Sequence, residues 1–139
     1  MTHTEHHDTL QKWHHAVAHR DMSVLDDLLA DDCVLHSPVL HTPQRGKPIV
    51  TMYLQAASVA IANDAFRYIR EVVSGDDIIL EFETTYGDIY INGVDMIRCR
   101  ADGKIVDFKV MLRPKKAVEL VHENMMRALS ALKGGTLPK

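Results

Sequence analysis

The segment that most restricts how this 139-residue chain can fold runs from Asn92 to Pro114, NGVDMIRCRADGKIVDFKVMLRP. Two alternating runs flank an Asp102-Gly103 pair, the signature of a β-hairpin with a two-residue type I′ turn. Counting outward from that turn sets Arg100 against Ile105, Cys99 against Val106, Arg98 against Asp107, Ile97 against Phe108 and Asp95 against Val110. Successive side chains of a strand point to opposite faces. One face therefore collects Ile97, Cys99, Val106, Phe108 and Val110, with Leu112 beyond, and Asp95 falls among them. The opposite face carries Met96, Arg98, Arg100, Asp107 and Lys109, with Arg98 and Asp107 expected to form a cross-strand ion pair. An apolar sheet face must be buried against a second layer. A carboxylate on it is either a structural acceptor for nearby backbone or a group kept out of water for chemistry.

The flanking segments supply that second layer. Asp8 or Thr9 can cap a helix with Leu10, Trp13 and Val17 on one face, residues 1–7 being expected to fray. A short helix with Leu25, Leu28 and Leu29 inward ends at Asp31-Asp32. Cys33 to Leu40 reads as a strand broken at Ser37-Pro38, on an edge or at a bend. Pro48 suits the first turn of a helix that continues to about Ala62. Strands are expected over 66–73 and 78–86. In the first, Phe66, Tyr68 and Arg70 alternate with Ile69, Glu71 and Val73, and neither set is apolar enough to mark the inward face. A last helix begins at Pro114, with Val118, Val121, Met125, Leu129 and Leu132 as its apolar stripe, and ends at Gly134. The fold class is α+β: a curved antiparallel sheet wrapped around helices as a cone with an internal cavity. The chain reads as a single domain over 1–139, its core about 9–132.

Composition narrows the partners. The formal net charge is −3 with no basic stripe, which argues against nucleic acid. No apolar run approaches the ~20 residues of a membrane span. Cys33 and Cys99, the only cysteines, both fall in strands, which suits a reduced, cytoplasmic protein without a disulfide framework. The nine histidines include His15 and His19 at i, i+4, a spacing that can clip a metal. No compact four-ligand motif completes it, so neither metal nor cofactor is expected.

The chain resembles the NTF2-like superfamily, which includes ketosteroid isomerase and the SnoaL-type polyketide cyclases. The likeness rests on WHHAVAHRDMSVLDDLLADD from Trp13, on His36-Ser37-Pro38-Val39 with Gly46-Lys47, on Asp95 to Val106, and on VMLRP from Val110. It implies the cone fold and a homodimer. Carried over residue by residue, the family's helix-one tyrosine, an oxyanion donor, falls on Trp13, and its general-base aspartate falls on Ser37. Its protonated aspartate falls on Asp95; ketosteroid isomerase is a standard example of a carboxylic acid held neutral by an apolar site. The site thus resembles the isomerase with its base removed.

The residues expected to carry function follow. Asp95, desolvated by Ile97, Phe108 and Val110, would stay protonated and donate to a ligand oxygen. Trp13 would be a wall and a second donor, while Ser37 and Tyr53 would line the same cavity. Tyr68 could also reach it. His36 is the candidate substitute base if the strand bends at Pro38. Cys99 is expected to be inert. The expected partner is a hydrophobic, oxygen-bearing small molecule, undergoing isomerase, cyclase or dehydratase chemistry if the protein is an enzyme. The alternative is a non-catalytic dimeric association domain. The outer hairpin face, with Val94, Met96, Ile105 and Met111 among its charges, is the expected homodimer surface.

Overall fold

The computed structural model describes residues 6–132. Helix α1 (His7–His19) is followed by a 3₁₀ turn (Met22–Val24) and one turn of helix, α2 (Leu25–Leu28). Strands β1 (Leu29–His36) and β2 (Gln44–Arg45) precede helix α3 (Lys47–Ala60). Strands β3 (Arg67–Ser74), β4 (Asp77–Tyr86), β5 (Ile89–Cys99) and β6 (Ile105–Arg113) lead to helix α4 (Lys115–Leu132). All six strands form one sheet in the order β2-β1-β6-β5-β4-β3. Its inner face buries Ile78, Leu80, Phe82, Ile91, Ile97 and Phe108 against Trp13 of α1, Val50, Leu54 and Ala56 of α3, and Val121 and Leu129 of α4. The architecture is α+β and the sheet is curved.

The sheet is mixed rather than antiparallel, because β1 runs parallel to β6. α3 and the β3–β5 meander intervene between them, and a crossover of that length can return a strand in the same direction. The sequence places Leu29 in the second helix. In the structure its backbone is already extended (φ −92°, ψ 137°) and starts β1. That strand stops at His36, before the bend at Ser37-Pro38. The first helix begins earlier than expected: His6 is buried, with its Nε2 2.8 Å from Asp76 Oδ1. The stripe of α4 is Ala117, Val121, Met125, Ala128 and Leu129, while Leu132 is exposed. The end expected at Gly134 lies outside the described residues.

The hairpin register holds where it matters: Asp95 pairs with Val110, Ile97 with Phe108 and Arg98 with Asp107. Its turn differs. Arg100 N–H donates to Lys104 O, Gly103 N–H donates to Arg100 O, and only Gly103 of the loop has positive φ (85°). This is a three-residue loop, Ala101–Gly103, closed by a glycine in the left-handed region. Asp102 stays at negative φ and uses its Oδ1 to accept from Lys104 N–H at 3.0 Å. The longer loop moves the register by one: Cys99 pairs with Ile105 instead of Val106. Ile105 is therefore buried, correcting its assignment to the outer face, and Val106 is only half-buried.

A second bulge explains the ambiguous strand. Tyr68 pairs with Phe82, but Arg70 pairs with Glu81 and Glu71 with Leu80. Ile69 is the extra residue, and one unpaired residue reverses the alternation. Phe66 and Tyr68 point inward before it, and Glu71 and Val73 share that face after it. Glu71 runs past the helical cover and meets His14 at 2.8 Å.

Candidate functional site

Three elements converge on Asp95. Strand β5 aims it inward between Gly93 and Ile97, strand β3 brings Tyr68, and helix α1 brings Trp13. The Tyr68 hydroxyl donates to Asp95 Oδ2 at 2.6 Å, and the indole N–H of Trp13 donates to Tyr68 Oη at 3.0 Å. Trp13 is held in turn by Phe108, edge to face at 5.1 Å between ring centroids. Phe66 stacks on Phe82, and both pack their rings against Tyr68. Gly93 permits this: a Cβ there would collide with the Phe82 ring and lie 2.7 Å from Leu112 Cδ2.

Asp95 is only 6% exposed. Loss of hydration raises its pKa from 3.8 to about 7, against the smaller opposing effect of the Tyr68 hydrogen bond. The Tyr68 hydroxyl moves well above 10, first because it too is buried and then because it faces Asp95. Tyr68 therefore stays a neutral donor, while Asp95 is poised to hold or release its proton near neutral pH.

Between the sheet and the helices lies a hollow of about 70 Å³. Its sheet wall holds Asp95, Tyr68, Phe82, Phe108 and Val110; Trp13, Tyr53 and Met125 face them from α1, α3 and α4, and Ser37 stands on the bend after β1. The ~300 Å³ lower bound of typical ligand pockets is not reached, because Tyr53, Phe66, Tyr68 and Phe82 fill much of the cone.

Six sequence-derived candidates, Asp95, Trp13, Ser37, Tyr53, Phe108 and Val110, meet at this hollow. The single hydrogen of the Trp13 indole is committed to Tyr68, so Trp13 faces the hollow as a wall and not as a second donor. Ser37 Oγ accepts Val39 N–H at 3.2 Å, which leaves its own proton free. Two candidates fall elsewhere. Ile97 is buried in the core beside Ile78 and Phe108 but does not line the hollow. His36 lies 3.0 Å from Asp107 Oδ1 on the outer side of the sheet: the strand does bend at Ser37-Pro38, but the alternation holds through His36, next to inward Leu35. It is not placed to act as a base here. The expected Arg98–Asp107 pair is likewise absent from the described contacts: Asp107 goes to His36 and Arg98 to Asp77 at 3.1 Å.

His15 and His19 stack on each other, with 4.1 Å between ring centroids, and His19 Nδ1 contacts the His15 carbonyl. No cluster of three or more His, Cys, Asp or Glu side chains suited to a metal occurs among the described residues. Both cysteines are free and buried, and burial pushes the Cys99 thiol up to about 11, away from the reactive thiolate. Tyr68, which hydrogen-bonds both Trp13 and Asp95, is the residue of this site that residue-by-residue reasoning left without a role. Its signal was the aromatic pair Phe66 and Tyr68, hidden by the parity change at Ile69.

A curved mixed sheet closed by helices, with a buried carboxyl on its inner wall, defines a protein of the NTF2-like, cystatin-like class. The SnoaL-like domain family matches residues 10–108, and the chain belongs to that family. Among solved structures it is similar to a steroid delta-isomerase from Pseudomonas aeruginosa, at 38% identity over 95% of this chain and 96% of that one, with a TM-score of 0.88. It is also similar to an uncharacterized bacterial protein with a cystatin-like fold from Silicibacter pomeroyi, at 32% identity over 84% and 82% of the two chains, TM-score 0.77. A putative polyketide cyclase from Sinorhizobium meliloti shares the fold at 16% identity, over 75% of this chain and 94% of that one, TM-score 0.59. No curated protein matches the chain. No helix among the described residues is long and apolar enough to cross a membrane.

Proposed function

We propose that this protein binds a hydrophobic, oxygen-bearing small molecule in the hollow, and that protonated Asp95 donates a hydrogen bond to the ligand oxygen. The observation that carries this reading is the buried carboxyl with a pKa near neutrality, tied to Tyr68 and through it to Trp13. A fixed donor in a water-poor site stabilises negative charge as it develops on oxygen. The reactions that use this are isomerisation, cyclisation and dehydration, and the isomerase and cyclase named among the structural neighbours support the same classes. Ser37 stands where the resemblance expects a carboxylate base, and Asp95 is the only carboxylate among the lining residues. Any proton transfer in the hollow therefore runs through Asp95 itself. The homodimer, formed through the outer sheet face where Met111 and Tyr90 are exposed, belongs to the same proposal.

The test is binding. Trp13 is the only tryptophan, so one indole N–H resonance reports on the hollow. Small cyclic ketones and phenols should shift it, and D95N should weaken their binding. Unchanged indole resonances across such a panel would end the ligand reading. The second reading, a dimeric association domain without a substrate, is favoured by the small hollow. It expects no ligand effect and a mass of two chains.

A further inference from the structure

The Tyr68 hydroxyl is the one side-chain partner of the Asp95 carboxyl among the described residues, donating to Oδ2 at 2.6 Å. While it stays there, it covers the group that a ligand oxygen needs. The surface turned toward the hollow is almost wholly apolar, so an entering oxygen would lose its water without compensation. Space raises the same conflict. An engineered cavity of about 150 Å³ holds benzene, and the hollow has about 70 Å³. Moving one ring out of the wall would make up the difference, since a tyrosine ring is about the size of benzene. Among the rings of the wall only Phe66 and Tyr68 are half-buried, and of these two Tyr68 holds Asp95. Tyr68 stands on β3, an edge strand, which is hydrogen-bonded to a neighbour on one side only. Its pairing with β4 slips directly after it, at Ile69. Its ring also meets the partly exposed His14, at 5.3 Å between centroids.

We infer that Tyr68 is a resident stand-in for the ligand: binding swings its ring away from Asp95, toward His14 and the solvent, and the ligand's oxygen takes the place its hydroxyl leaves. This rests on the proposed binding function and narrows it. The ligand becomes a flat ring of about tyrosine's own size with an oxygen at its rim, such as a phenol or a cyclic enone. The Trp13 indole N–H, which donates to Tyr68 at 3.0 Å, changes acceptor in the same step. A site that must first evict a side chain binds more weakly by the cost of the eviction. The Tyr68–Asp95 bond is therefore an internal brake on affinity.

The experiment measures phenol binding to wild type, Y68F and D95N, following the Trp13 indole resonance. Y68F keeps the ring and gives up its bond to Asp95, so it should bind phenol more tightly than wild type, by about threefold to tenfold, the equivalent of one hydrogen bond. D95N should bind it more weakly. A fixed Tyr68 that helped to hold the ligand would give the opposite result in Y68F. A second measurement needs wild type alone, with ring-carbon-labelled tyrosine. Of the four tyrosines, Tyr68 is identified by its proximity to the Trp13 indole proton. Saturating phenol should make its ring signal more sensitive to a soluble paramagnetic agent. Phenol that binds wild type while Tyr68 stays as shielded as before, or a Y68F protein that binds no tighter, overturns the inference and leaves the binding function standing. Failure of phenol to bind wild type overturns both.

Discussion

Replacing Asp95 with asparagine tests the central electrostatic claim without reference to any ligand. The amide keeps an oxygen to accept from Tyr68 but cannot ionise. In the folded protein Asp95 has a pKa of about 7, against ~3.9 in an unfolded chain. The folded state therefore holds a proton that the unfolded state has released. The resulting stability is fully present below pH ~4 and is lost as pH rises through about 7. The complete shift is worth about 4 kcal/mol at 1.36 kcal/mol per pKa unit. Over the practical window from pH 5 to pH 8, linkage gives a loss of roughly 2–3 kcal/mol in wild type from this one group. Urea denaturation of both proteins at half-unit pH steps, at one protein concentration, isolates it. Histidines titrate in the same window but are common to both chains and cancel in the difference. The wild-type stability relative to D95N should fall by roughly 2–3 kcal/mol, with most of the change complete by pH 7. Parallel pH profiles, or a difference confined to the region near pH 4, would refute a desolvated Asp95.

Further outcomes follow from neighbouring contacts. Y68F removes the partner of both Asp95 and the Trp13 indole, so it should destabilise by about 1–3 kcal/mol; it should also raise the Asp95 pKa further, read from its carboxyl carbon resonance in an NMR titration. G93A forces a methyl group against Phe82 and Leu112 and should cost about 1–3 kcal/mol in urea denaturation, with a displaced Trp13 resonance because Phe82 lines the hollow. H36Q should leave ligand affinity within twofold, since that side chain faces Asp107 outside the site; a tenfold loss would restore His36 as a candidate. Light scattering at micromolar concentration should give the mass of a dimer, and M111D on the exposed sheet face should shift it toward monomer.

The local code of this chain was explicit in some places and silent in others. Alternation along Asp95, Ile97 and Cys99 named the inward face of β5, because a central strand packed on one side must alternate. The same logic failed at β3 and at the hairpin turn for one physical reason: a single unpaired residue inverts everything beyond it. Ile69 did this at β3. Val106 did it beside a loop one residue longer than its Asp-Gly pair suggested, and Ile105 was buried as a result. Such bulges depend on how a strand fits its neighbour, which no strand records alone.

From its own residues the chain determined an α+β fold and a carboxylate on a greasy face; Trp13 and Ser37 were singled out by the family resemblance, and both line the hollow. Only the tertiary structure decided that Tyr68 would bridge Trp13 and Asp95, that His36 would turn away, and that the helices would leave only a small hollow over Asp95. Periodicity is a property of neighbours along the chain, and it is written in the order of the residues. Desolvation and hydrogen-bond partnership are properties of neighbours in space, here drawn from residues as far apart as Trp13 and Asp95, and they exist only once the helices close over the sheet.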